Sequence, residues 1–167
     1  MTKQTAVIGF PIQHSISPKI HNYWISKYKL NISQYKKISV KPDNLGTFLQ
    51  QCKKDQYCGL NITIPHKQNV FELCDIVSET SAKLRAVNTV LFENGKIIGD
   101  NTDTVGFQNS IPKKIIKTNI VNQKTIVLGA GGSARSIIMM LKVMGSDIIV
   151  ANRTTQNAEQ VKNDLDL

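Results

Sequence analysis

Residues 124–144 read KTIVLGAGGSARSIIMMLKVM. The apolar run 126–128 favours a strand. Gly129-Ala130-Gly131-Gly132 then breaks the chain, and Ser133 opens a run of helix-forming, mostly apolar residues. A strand, a glycine-rich turn and a helix in this order form the βα unit of an open α/β sheet. Gly129 permits the tight turn, Gly131 lets the backbone come close to a pyrophosphate, and Ala134 lets the helix pack against the strand. The helix amino terminus adds free N–H groups for phosphate, so Gly129, Ala130, Gly131, Gly132 and Ser133 are expected to bind a dinucleotide. Strand 124–128, helix 133–144, strand 147–151 and a helix from about residue 155 complete this region.

The end of strand 147–151 selects the cofactor. NAD sites place a carboxylate there for the ribose 2′-hydroxyl. Here the residues are Asn152, Arg153 and Thr154. An arginine can make charge-assisted bonds to a 2′-phosphate, so NADP is expected.

Towards the amino terminus, β and α patterns alternate. Strands are expected at 5–9, 35–40 and 59–64. Ser17 is expected to cap a helix whose next residue is Pro18, with Ile20, Tyr23, Trp24 and Tyr28 forming one apolar face. A second helix starts at Pro42 and buries Leu45, Phe48, Leu49 and Cys52. Helical stretches follow at 67–74 and 78–84, and the Asn94-Gly95 pair marks a hairpin between 87–92 and 96–99. The region 112–124 is polar, rich in lysine and reads as a connector.

Composition narrows the function. The 167 residues carry a net charge of +9. The lysines are scattered, and the densest run (Lys113, Lys114, Lys117, Lys124) has no aromatic residues within it, which argues against nucleic-acid binding. No apolar run approaches the roughly 18 residues of a membrane span, and the first residues lack a signal-peptide pattern, so a cytoplasmic protein is expected. Cys52, Cys58 and Cys74 lack disulfide or zinc spacing, and no metal is expected.

Polar side chains gather where strands meet loops, the place where open α/β sheets bind ligands. Ser15 and Ser17 can present two hydroxyls together, and Asn61 and Thr63 do the same while Ile62 and Ile64 face the core. Lys67 follows Pro65, Asn88 lies in a strand reading AVNTV, and Asp103 ends GDNTD. Singly, each has a structural explanation; together they suit a polyhydroxylated acid.

HSISP, GLNITIPHK, AVNTV, GDNTD, GAGGSAR and NRT stand in the order found in shikimate dehydrogenases, which this chain resembles over essentially its whole length. The resemblance implies NADP-dependent, reversible reduction of 3-dehydroshikimate to shikimate, on the route to chorismate and the aromatic amino acids. It implies that Ser15 and Ser17 bind the substrate carboxylate, and that Asn61, Thr63, Asn88 and Asp103 bind ring hydroxyls. Lys67 becomes the acid/base, with Asp103 beside it. Gly129 to Ser133 hold the pyrophosphate, Asn152 to Thr154 the 2′-phosphate, and Glu79 makes a minor cofactor-side contact.

Three positions depart from the family pattern: Arg85 and Thr104 replace usual glycines, and Asn157 replaces a second basic residue. Family members also continue further. The expected architecture is therefore a substrate-binding catalytic domain (1–103) with a mainly parallel sheet flanked by helices, a connector (104–123) and an incomplete, truncated Rossmann NADP-binding domain (124–167). A non-catalytic remnant that binds a shikimate-like acid and a quinate/shikimate dehydrogenase stay open as alternatives. A homodimer is compatible with the sequence but not specified by it.

Overall fold

The computed structural model describes residues 3–112 and 120–167. Part of the expected connector, residues 113–119, lies outside them. The amino-terminal unit runs β1 (Lys3–Gly9), α1 (Ser17–Lys27), β2 (Ile32–Ser39), a 3-10 turn (Pro42–Asn44), α2 (Leu45–Lys54), β3 (Tyr57–Ile62), α3 (Lys67–Leu73), β4 (Ile76–Val77), α4 (Glu79–Leu84), β5 (Thr89–Glu93), β6 (Lys96–Asp100) and α5 (Asp103–Ser110). The second unit has β7 (Lys124–Leu128), α6 (Gly132–Val143), β8 (Asp147–Ala151) and α7 (Thr155–Leu165).

The six-stranded sheet has the order β2-β1-β3-β5-β6-β4, and β7 and β8 form a separate parallel pair. The large sheet is mixed. β5 alone runs against its five companions, being antiparallel to both β3 and β6. A two-residue turn causes this reversal: Glu93 pairs with Lys96, while Asn94 and Gly95 take φ of 51° and 71°. Two successive left-handed residues match the right-handed twist of a hairpin. The reversal brings the start of β5 to the sheet end where β3 and β6 finish, with Asn61 opposite Thr89 and Thr89 opposite Asp100.

Alternation along β1 serves both faces of the sheet. Ala6 and Ile8 enter the main core with Leu45, Leu49 and Cys52 of α2 and Val70 of α3, whereas Val7 joins Ile12 and Tyr35 on the other face. Burial and the charge of Asp55 push the Cys52 thiol up to about 12. Burial, with Asp75, pushes Cys74 up to about 11, and all three cysteines are free. The first two thiols are therefore protonated, weak nucleophiles at neutral pH.

Several local expectations differ. Ser17 does not cap α1: Ile16 occupies the cap position, no side chain bonds there, and the Ser17 hydroxyl meets that of Ser15 at 3.2 Å. The α1 stripe Ile20, Tyr23, Trp24 and Tyr28 is 41–61% exposed, and no residue of α1 is buried. β2 begins at Ile32, before the expected 35, because an edge strand paired only with β1 tolerates polar residues such as Ser33 and Gln34. β3 ends at Ile62, so alternation stops there: Ile62 is buried, but Ile64, beside a cis bond to Pro65, is 64% exposed. Asn88 immediately precedes β5 instead of lying within it. Residues 104–110 of the segment read as connector belong to α5, which starts at Asp103.

Arg135 of α6 ties the second unit to the first. Its side chain is almost fully buried, bonds Asp164 of α7 at 2.7 Å and makes a long 3.4 Å contact to the Leu84 carbonyl at the end of α4. Burial raises the Asp164 carboxyl, but hydrogen bonds from Arg135 and Gln160 and the charges of Arg135 and Arg85 outweigh it and hold the carboxyl below its ordinary value. A depressed carboxylate stabilises the fold above its unfolded pKa, and that contribution disappears as pH falls through the folded value. Asp164→Asn should therefore cost about 3 kcal/mol at pH 7, the scale for breaking a buried pair, and progressively less towards pH 3; urea unfolding across pH checks both.

Candidate active site

The site begins where β3 runs out. The chain leaves the sheet at Thr63, whose N–H donates to the Ile8 carbonyl (2.9 Å), turns at Pro65 and starts α3 at Lys67. His66 anchors the turn: it is fully buried, with Nε2 2.7 Å from the Val40 carbonyl, so Nε2 carries the hydrogen and donates. The Lys67 carbonyl accepts from Val87 N at 2.8 Å, which fixes the segment entering β5 beside it.

Three of the residues singled out in the sequence form one hydrogen-bonded set. The Lys67 ammonium donates to Asp103 Oδ2 at 2.6 Å, and Asn88 Nδ2 donates to Asp103 Oδ1 at 2.7 Å. Asn88 Oδ1 accepts from Thr89 Oγ1 (2.8 Å) and Thr102 N (3.1 Å), so its amide is held at both ends. The Lys67 and Asp103 side chains retain 12% and 27% of their accessibility, enough for a ligand to reach them but too little for water to answer the charge fully.

Asn101, absent from the sequence reading, is the organiser here. It is buried, its amide nitrogen donates to the Ala86 carbonyl (2.9 Å), and its amide oxygen accepts from Asp103 N (2.9 Å). Its repeated polar context in GDNTD hid it, because burial and not residue type distinguishes it from its neighbours. Tyr35 was also missed. Its hydroxyl donates to Asn61 Oδ1 at 2.6 Å, its ring stacks on His21 at 4.1 Å, and burial raises its phenol, which keeps the donor protonated. The Asn22 side chain bonds both the N–H and the carbonyl of Tyr35, replacing the strand partner that an edge strand lacks.

The other candidates are more dispersed. Ser15 and Ser17 follow β1 at the same sheet end, since Phe10 N donates to the Ile64 carbonyl at 3.0 Å, but among the described residues no hydrogen bond joins them to Lys67, Asp103 or Asn88. Asn61 lines a cavity of about 460 Å³ with Tyr35, His21 and Trp24, whereas Thr63 lines a different one with Lys67. The expected pairing of Asn61 with Thr63 thus divides between two cavities. Glu79 stands apart: it is exposed and bonded to Lys83 one helical turn later, and that hydrogen bond and charge lower its carboxyl. Among the described residues no three His, Cys, Asp or Glu side chains gather to hold a metal, and no helix is long and apolar enough to cross a membrane.

The glycine-rich turn faces this set. A cavity of about 380 Å³ is lined by Thr63 and Lys67 on one wall and by Gly129, Gly131, Gly132 and Ser133 on the other. Gly129 has φ of +117°, a left-handed conformation that glycine adopts readily, and Gly131 caps α6. Side chains built at Gly129 or Gly131 would meet no neighbouring atom within 4 Å, leaving room for a ligand to approach the backbone. A smaller cavity of about 160 Å³ continues from Ala130 and Gly131 to Asn152 and Asn157. Arg153 is exposed beside it, and Asn152 Nδ2 donates to the Thr154 carbonyl at 2.8 Å.

A model of the shikimate dehydrogenase substrate binding domain matches residues 7–90, half of the chain. This chain belongs to the shikimate dehydrogenase family. The NADP(+) shikimate dehydrogenase of Pelagibacter ubique is 42% identical over 163 residues, 97% of this chain and 60% of that protein. Its counterpart in Methylocella silvestris is 39% identical over 155 residues, 93% of this chain and 55% of that protein. Among solved structures of the family, the enzyme of Aquifex aeolicus superposes with a TM-score of 0.89 at 37% identity, over 99% of this chain and 61% of that one. The Thermus thermophilus enzyme in complex with NADP(H) and shikimate gives 0.83 at 31%, over 99% and 62%. The chain thus spans about 60% of the length of the first of these family members.

Asp103→Asn would keep the size of the side chain, remove the charge facing Lys67 and set an amide NH2 against one of the two donors, Lys67 or Asn88. Loss of a charge-assisted bond should lower unfolding stability by about 2 kcal/mol at neutral pH, measured by denaturant titration.

Proposed function

We propose that the chain acts in an NADP-dependent shikimate dehydrogenase that interconverts 3-dehydroshikimate and shikimate. The observation that carries this reading is the hydrogen-bonded set Lys67–Asp103–Asn88, whose Lys67 lines one cavity with the glycine-rich turn. Residues 1–103 are read as the substrate-binding unit, 104–123 as the connector and 124–167 as dinucleotide-binding. Support comes from the family membership and from relatives named for NADP(+) dependence.

Gly129 to Ser133 and the amino terminus of α6 would hold the pyrophosphate, and Asn152, Arg153 and Thr154 the 2′-phosphate. NADPH bound there supplies hydride to the carbonyl carbon. The residues of this chain manage the oxygen. The Lys67 ammonium stabilises the alkoxide that develops and then gives up a proton to it. In the oxidation direction the Lys67 amine takes that proton back. Asp103, which can only accept, compensates the ammonium and grips a ring hydroxyl. Asn88 is assigned to the same ring hydroxyls and holds Asp103 Oδ1 in place for them. Ser15 and Ser17 are assigned to the substrate carboxylate, and Asn61 and Thr63 to ring hydroxyls.

The decisive assay is NADP⁺ reduction with shikimate and, separately, with quinate. Lys67→Ala should lower kcat with shikimate by at least roughly a thousandfold while shikimate binding by calorimetry stays measurable, in line with loss of a general acid/base. Near-normal turnover would remove Lys67 from the chemistry, and preference for quinate would reassign the substrate. Arg153→Ala should weaken NADP⁺ binding about tenfold and leave NAD⁺ binding unchanged; equal losses for both would dissociate Arg153 from the 2′-phosphate.

A further inference from the structure

We infer that Ser133, on the glycine-rich turn, is a positioning residue for Lys67, so that the dinucleotide-binding turn itself orients the proton-transferring lysine. This inference deepens the dehydrogenase reading and rests on it for the role of Lys67. Two independent contacts carry it. The Lys67 ammonium donates to Ser133 Oγ at 2.8 Å, across 66 positions of sequence and from one unit to the other. The backbone of the turn also lies directly on the lysine stem: a side chain built at Gly132 would stand 2.9 Å from Lys67 Cβ and 3.0 Å from Cδ. Gly132 is therefore required for close approach to a lysine, in addition to any approach to phosphate.

The geometry defines what Ser133 contributes. An ammonium has three N–H donors. Asp103 at 2.6 Å and Ser133 at 2.8 Å take two, and among the described residues no third acceptor is present. The remaining donor is available to an oxygen in the cavity that Lys67, Thr63 and the turn enclose. Two fixed partners restrict a long flexible side chain to one direction, whereas Asp103 alone would leave the ammonium free to swing about a single bond. After it gives up one proton the amine still has two N–H donors, which Asp103 and Ser133 continue to accept, and its lone pair faces the cavity oxygen. Ser133 thus holds Lys67 in both protonation states through which a reversible dehydrogenase cycles.

The test compares wild type with Ser133→Ala and Ser133→Thr, using two measurements. The first is acetylation of Lys67 by acetic anhydride, read by mass spectrometry against the exposed Lys83 in the unliganded protein. Loss of one hydrogen bond should make labelling about fivefold faster in Ser133→Ala, with Ser133→Thr at the wild-type rate and Lys83 unchanged in both. The second is steady-state kinetics with shikimate and NADP⁺. Ser133→Ala should lose roughly tenfold in kcat with KM for shikimate within about twofold, and Ser133→Thr should recover most of the loss. Unchanged Lys67 labelling in Ser133→Ala overturns the inference. So does an effect confined to KM for NADP⁺, which would make Ser133 a phosphate contact only. If wild type itself fails to oxidise shikimate, the dehydrogenase reading fails, and the labelling result still decides whether Ser133 holds Lys67.

Discussion

A lysine ammonium with 12% of its side chain accessible must find its partners within the protein, and this requirement organises the site. Asp103 supplies the compensating charge. Asp103 can do so because Asn101 holds its backbone and Asn88 its second oxygen. Asn88 in turn is placed by the reversal of β5, which brings its start to the end of β3 and β6. The chain of dependence runs from a hairpin turn at Asn94-Gly95, through strand register, to Lys67. The second unit joins at the same point, with Ser133 on the ammonium and Gly132 on its stem.

How much of this could be read beforehand varied with the kind of signal. The hairpin was legible because Asn-Gly specifies a backbone conformation and therefore a register. The β7–turn–α6 unit was legible because strand, glycines and helix each announce themselves locally. Lys67, Asn88 and Asp103 were legible as a set, through motif order, but their mutual bonds depend on contacts between residues 15 to 36 positions apart. Where burial alone decides, the sequence was silent: Asn101 and Asn88 are both asparagines beside the site, yet only Asn101 is buried. The limits of β3 were misjudged because Ile64 continues the apolar alternation after the strand has left the sheet.

The α1 helix shows a different failure. Helical spacing located its apolar stripe, but spacing carries no information about whether a partner covers it, and Tyr23 and Tyr28 remain about 60% exposed. Lys27 stands 5.5 Å from both ring centres, which gives those faces a cation in place of a core. His21 and Trp24 of the helix and Tyr35 of β2 form an aromatic group, from which the Tyr35 hydroxyl donates to Asn61.

Arg85 ends α4 in the left-handed conformation, with φ of 49° and ψ of 42°, at the position where the family resemblance implies a glycine. A side chain in that conformation costs about 1–2 kcal/mol, but it also has fewer unfolded conformations to surrender than glycine, which returns about 0.4–1 kcal/mol. The guanidinium recovers more by bonding Glu72 at 3.2 Å and lying over the Phe71 ring at 5.9 Å. The charge is thereby directed onto α3, one helical turn beyond Lys67. The short link that delivers Asn88 thus carries a side-chain tether to α3 that a glycine could not supply.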